Sequence, residues 1–75
     1  MNEEWKKDFI LLGQRIKKLR EEKNLSIKDM ALKTGIRVQY LKRIEEGSAY
    51  GISIDRHLLK IATTLELPVY KLLKI

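Results

Sequence analysis

The chain has 75 residues, with 16 Lys and Arg against 10 Asp and Glu, no Cys, and a formal charge of +6. That length holds one small core and no deep catalytic cavity, since a domain of this size buries only about 60% of its unfolded surface. The lack of thiols excludes a disulfide framework and a thiolate metal site, and no apolar run approaches the roughly 20 residues of a membrane span.

Residues 1–8 carry no signal-peptide pattern and read as an N-terminal extension to one domain over 9–75, in a protein expected to be cytoplasmic. Phe9, Leu12, Ile16 and Leu19 recur at helical spacing and predict a first helix over about 7–23. Asn24, tolerant of the left-handed conformation, would end it. Phe9 is expected on the core, with Trp5 covering it. Ser26 then reads as an N-cap, with Asp29 three residues on to close a capping box. Leu25 and Met30 flank that cap at the spacing of a hydrophobic staple. The second helix is predicted over 27–34, with Gly35 as its stop, and the third over about 37–46, ended by Gly47. The stretch 48–52 reads as a loop. Ser53 or Asp55 would cap a fourth helix carrying Leu58, Leu59, Ile61, Ala62 and Leu65. Pro68 suits the first turn of a last helix through Val69, Leu72 and Leu73. No stretch alternates with period two for long enough to predict a strand.

The pair of helices over 27–46 carries the strongest signal. Two helices crossing at a steep angle through a three-residue turn need a small residue at the crossing, which Ala31 supplies. The turn needs a positive φ, which Gly35 adopts without steric cost. Met30, Ile36, Leu41 and Ile44 are the apolar residues expected to fill the shared core. On a wheel at about 100° per residue, Tyr40, Leu41 and Ile44 fall on the core side and Val38, Gln39, Lys42 and Arg43 fall opposite. That outward set suits base-edge readout: Gln pairs with adenine, Arg or Lys with guanine, and an apolar methyl meets the methyl of thymine.

At these residues the sequence resembles the Cro/repressor-type helix-turn-helix family, also called the XRE family. The resemblance rests on Leu-Arg-Glu-Glu-Lys-Asn-Leu-Ser (19–26), Lys-Asp-Met-Ala-Leu-Lys-Thr-Gly-Ile (28–36) and Tyr-Leu-Lys-Arg-Ile-Glu-Glu-Gly (40–47). It continues through Leu-Leu-Lys-Ile-Ala-Thr-Thr-Leu (58–65) and Leu-Pro-Val-Tyr-Lys-Leu-Leu (67–73), so that it covers about 11–74. It implies an all-α, compact five-helix lambda-repressor-like domain that binds double-stranded DNA as a homodimer and regulates transcription as a repressor would. Val38, Gln39, Lys42 and Arg43 occupy the family's base-reading positions. Arg20 and Glu45 match an arginine and a glutamate that pair in many members, an ion pair that fixes helix geometry more than it adds net stability.

Two departures stand out. The family usually has Gln at the first residue of helix two, where this chain has Ile27, and the loop 48–52 lacks the usual Lys or Arg. Phosphate contacts would then fall to Ser26, the amides at the start of helix two, Lys28, Arg37 and Arg56. The same departures favour an alternative reading, a protein-interaction module that kept the fold and lost DNA binding. No enzyme is expected, because no nucleophile, base and orienting group can be assembled, and neither a cofactor nor a metal is implied. His57 is a single histidine without thiol partners, and Glu21, Glu22, Glu45 and Glu46 are helix-surface carboxylates rather than an acid–base pair. Val69, Tyr70, Leu72, Leu73 and Ile75 are too apolar to be wholly exposed. Part of that run is a candidate dimer interface, with Leu72 or Leu73 as core.

Overall fold

The computed structural model describes residues 4–49 and 54–73, and the side chains of 6–49 and 56–73. Five α-helices follow one another: α1 (Glu4–Glu22), α2 (Ile27–Thr34), α3 (Val38–Glu46), α4 (Leu59–Thr64) and α5 (Tyr70–Leu73). No strand occurs among the described residues. The Trp5 side chain, the proposed Ser53 or Asp55 cap, the loop beyond Ala49 and Ile75 lie outside the described set.

Three of the four residues of the predicted α1 stripe join the core, and Phe9 is half-buried. Ile16 is fully buried, with Leu12 and Leu19 packed against the same core. Asn24 takes the left-handed conformation after it, with φ 57°. Helix α2 begins with both halves of the capping box formed. The Asp29 N–H donates to Ser26 Oγ, and the Ser26 N–H donates to Asp29 Oδ2, each over 3.0 Å. Leu25 packs on the core that contains Met30.

The turn from α2 to α3 is built from two devices. Gly35 sits at φ 75° and donates its N–H to the Ala31 carbonyl over 2.8 Å. Buried Thr34 then donates its hydroxyl to the Met30 carbonyl over 2.7 Å and accepts the Ile36 N–H over 3.1 Å. These bonds satisfy polar groups that a tight, dry corner would otherwise strand. Met30, Ile36, Leu41 and Ile44 join Ile16, Leu58, Ile61, Ala62, Leu65 and Leu72 in one core. Each large apolar side chain fully buried there contributes roughly 1.5–3 kcal/mol.

Four elements differ from the sequence-based expectation. Helix α1 begins at Glu4, about a turn before the predicted start near Lys7. Helix α3 starts at Val38 rather than Arg37, which is its N-cap in extended conformation with φ −63° and ψ 143°. The fourth helix is not one regular helix: it opens with a π-helical turn over Ile54–Leu58 and becomes α-helical at Leu59. Such single wide turns are rare and concentrate at functional sites. The turn keeps Leu58 on the buried face and leaves Leu59 exposed. Pro68 and Val69 lie ahead of α5 in tight turns, their carbonyls accepting from the N–H groups of Lys71 and Leu72. Of the two candidate core leucines, Leu72 is buried and Leu73 is exposed.

Helices α1 and α3 approach closely. Gly13 is buried in the middle of α1, where a Cβ would collide with the Ile44 carbonyl oxygen and lie 2.6 Å from that of Glu45. Main chain meets main chain at that crossing.

Candidate nucleic-acid interface

Helix α3 is held from behind near its C-terminal end. Gly13 admits its backbone, and Arg20 grips Glu45. Arg20 Nε donates to Glu45 Oε2 over 2.7 Å and Arg20 Nη2 to Glu45 Oε1 over 3.0 Å, a bidentate fork. The third guanidinium nitrogen, Nη1, donates to the Leu25 carbonyl over 2.7 Å, next to the α2 cap. Arg20 is buried, and the hydrogen bonds and charge of Glu45 outweigh desolvation to raise its affinity for its proton. One side chain of α1 therefore fixes both the entrance of α2 and the end of α3.

The outward side of α3 carries Gln39, Lys42 and Arg43, all exposed, with Val38 half-buried at the helix start. Leu41 and Ile44 turn inward. The N-cap Arg37 makes no side-chain cap bond, so the first amides of α3 stay open at its positive dipole end. Among the described residues, Arg37, Arg43 and Lys42 enter no ion pair.

Of the other residues singled out from the sequence, Gly35 and Arg56 line the same space as Arg37, Gln39 and Arg43. Ser26 and Lys28 are exposed at the α2 start, where the Ser26 oxygen already accepts the Asp29 N–H. The Asp29 carboxylate lies beside that helix start, and its bonds from the Ser26 N–H and hydroxyl hold it below the usual carboxylate range. Its negative charge opposes a phosphate there, so the basic help must come from Lys28. Ala31 is half-buried against the core, and Gly35 is exposed at the corner. Arg56 is exposed on the π-helical turn.

An open groove runs beside α3. Arg37, Gln39, Tyr40 and Arg43 line one side of it, and Arg56, His57 and Lys60 the other. Tyr40 and His57 meet as a tilted pair of rings, with centroids 4.8 Å apart. Among the described residues, no carboxylate lines it. Sequence reasoning missed three features of this region: Gly13, Lys60 and the Tyr40–His57 pair. A glycine inside a helical pattern was the one available signal, since it costs about 1 kcal/mol against Ala and asks for a packing reason. Nothing local marks Lys60, which becomes relevant only when α4 lies across from the turn. No helix among the described residues is long and apolar enough to cross a membrane.

A family profile described as a helix-turn-helix domain matches residues 13–74. Two curated proteins called HTH-type transcriptional regulator SinR, from Bacillus subtilis (strain 168) and Bacillus licheniformis, are each 38% identical to the chain over 63 residues. The match takes in 84% of this chain and 56% of each relative, so the chain spans a little over half of their length. No solved structure matches it significantly.

Proposed function

Because the chain belongs to the helix-turn-helix domain family, whose regulators are not enzymes, we propose that it binds double-stranded DNA sequence-specifically and regulates transcription in the manner of a repressor. One observation carries this reading. The exposed face of α3 is polar and cationic over Gln39, Lys42 and Arg43, while its opposite face is locked to the core and to α1. A rigid helix with a free cationic face is what insertion into a major groove requires. Val38, Gln39, Lys42 and Arg43 read base edges in this proposal. Ser26, Lys28, Arg37 and Arg56 meet phosphates, and Arg20, Glu45, Ala31 and Gly35 hold the geometry.

The protein acts as a cytoplasmic homodimer, with half-sites about one helical turn, roughly 34 Å, apart. Exposed Tyr70 and Leu73 on α5 and Leu11 on α1 are the apolar surface that favours self-association. Selecting bound duplexes from a random pool tests the reading. A consensus emerging for the parent and degrading for Lys42→Ala and Arg43→Ala supports it, and a pool that stays random for the parent overturns it. The protein-interaction alternative draws on Leu32, 85% exposed on α2. It predicts no shift of any duplex at low salt, together with a protein partner lost on Leu32→Glu.

A further inference from the structure

The groove beside α3 is more basic than a single helix face. Its cations come from two separate elements, with Arg37 and Arg43 on the turn and α3, and Arg56 and Lys60 on the π-helical turn and α4. Lys60 is exposed and, like Arg37 and Arg43, forms no ion pair among the described residues. Arg37, Arg43 and Lys60 are basic side chains lining one space; like charges there repel one another, and that repulsion is relieved when an anion enters. Tyr40 and His57 of the lining lie ring against ring. His57 Nδ1 is buried with no hydrogen-bond partner among the described residues, so packing rather than hydrogen bonding at that atom holds the imidazole.

We infer that this groove clamps one backbone phosphodiester of the bound duplex between Arg37 and Lys60, making Lys60 a phosphate-contacting residue of the interface. The inference rests on the DNA-binding reading above and adds to it a contact on the far wall. A phosphate held between two walls fixes how far α3 can slide along the groove of the duplex. Lys60 therefore sets register and carries no sequence information, since phosphate contacts position and base contacts specify.

The salt dependence of duplex binding, followed by fluorescence anisotropy, tests this on the full chain. Neutralising one phosphate releases counterions worth about 0.9 in the slope of log K against log salt. Lys60→Gln is expected to lower that slope by about 0.9, to weaken selected and random duplexes by the same factor, and to leave the thermal midpoint unchanged. Lys60→Arg should retain the parent's slope. Lys18→Gln, in the groove between α1 and α5, removes the same charge away from the site and should leave the slope alone. Parent-like slope in Lys60→Gln overturns the inference while the DNA reading stands, as does an equal loss in Lys18→Gln, which would report net charge only. A parent that binds no duplex at low salt overturns both. A final arm replaces the duplex with inorganic phosphate and follows the Tyr40 and His57 ring resonances. Saturable shifts there, with a duplex slope indifferent to Lys60, would assign the groove to a free oxyanion and reject the clamp.

Discussion

Arg20 and Glu45, 25 residues apart, meet through two parallel hydrogen bonds of 2.7 and 3.0 Å, with side chains only 10% and 7% exposed. Removing one partner strands the other as a buried charge, which costs about 3–5 kcal/mol, a large share of a small domain's stability. Arg20→Ala should therefore lower the urea midpoint severely. Arg20→Lys keeps the charge but loses the fork and the bond to Leu25, so it should also destabilise. Replacing both partners with methionine should recover much of the loss, because an apolar pair of similar volume needs no desolvated charge. A double replacement as unstable as Arg20→Ala would show that the fork contributes more than it costs to bury.

Gly13 and Gly35 should respond to alanine for different reasons. At Gly35 an added Cβ would meet nothing within 4 Å, but φ is 75°, so Gly35→Ala should cost about 1–2 kcal/mol of backbone strain. Gly35→Asn should cost less, since Asn tolerates that conformation. At Gly13 the obstacle is the α3 main chain, so Gly13→Ala must push two helices apart at about 1–3 kcal/mol. Gly13→Ala should additionally move the amide resonances of Ile44 and Glu45, and Gly35→Ala should leave them in place.

Acid should release the α2 cap. The Asp29 carboxyl is held low chiefly by the Ser26 N–H, and the Glu66 carboxyl chiefly by its hydrogen bond from Lys23. A carboxyl depressed in the folded state takes up its proton first in the unfolded chain. The stability it contributes is present above its ordinary value of about 3.9–4.3 and is lost as pH falls through the lower folded value. Both groups are solvent-exposed and screened, so low ionic strength is the condition in which to look. In Asp29→Asn the acid limb of stability against pH should flatten. Ser26→Ala should cost about 1 kcal/mol at neutral pH.

Base readers and phosphate contacts should separate in binding data. Arg43→Ala should cost about 1–3 kcal/mol on selected duplexes and relax preference at one base pair. Lys28→Gln should weaken all duplexes alike and reduce the salt slope by about 1. Identical profiles for the two variants would undo the division of labour proposed for α2 and α3.

Self-association can be read by sedimentation equilibrium. Tyr70 and Leu73 are 62% and 43% exposed on α5, so converting both to Asp should leave the fold intact while shifting dimer to monomer. A dimer of unchanged affinity would place the contact elsewhere.

The α2–α3 unit was legible because its signals are local. Ser26 and Asp29 stand three residues apart, Gly35 follows the last apolar position, and the wheel separates Leu41 and Ile44 from Gln39 and Lys42. The α1–α3 crossing was not, because the reason for Gly13 lies in carbonyls some thirty residues away. The π-helical turn was equally hidden: Leu58, Ile61, Ala62 and Leu65 have ordinary helical spacing and do not signal a widened turn. Leu72 and Leu73 are alike in sequence, and only the docking of α5 on α1, where Arg15 Nη1 donates to the Leu72 carbonyl over 3.1 Å, decides which one faces in.

The glycine at the α1–α3 crossing has a consequence for how such a domain changes its target. Where two backbones touch, the pose of the outer helix is set by peptide groups that every amino acid shares. If the residues at 38, 39, 42 and 43 read bases as proposed, they can then be exchanged for others with different preferences while the angle of approach stays the same. Recognition becomes an interchangeable cassette on a fixed mount.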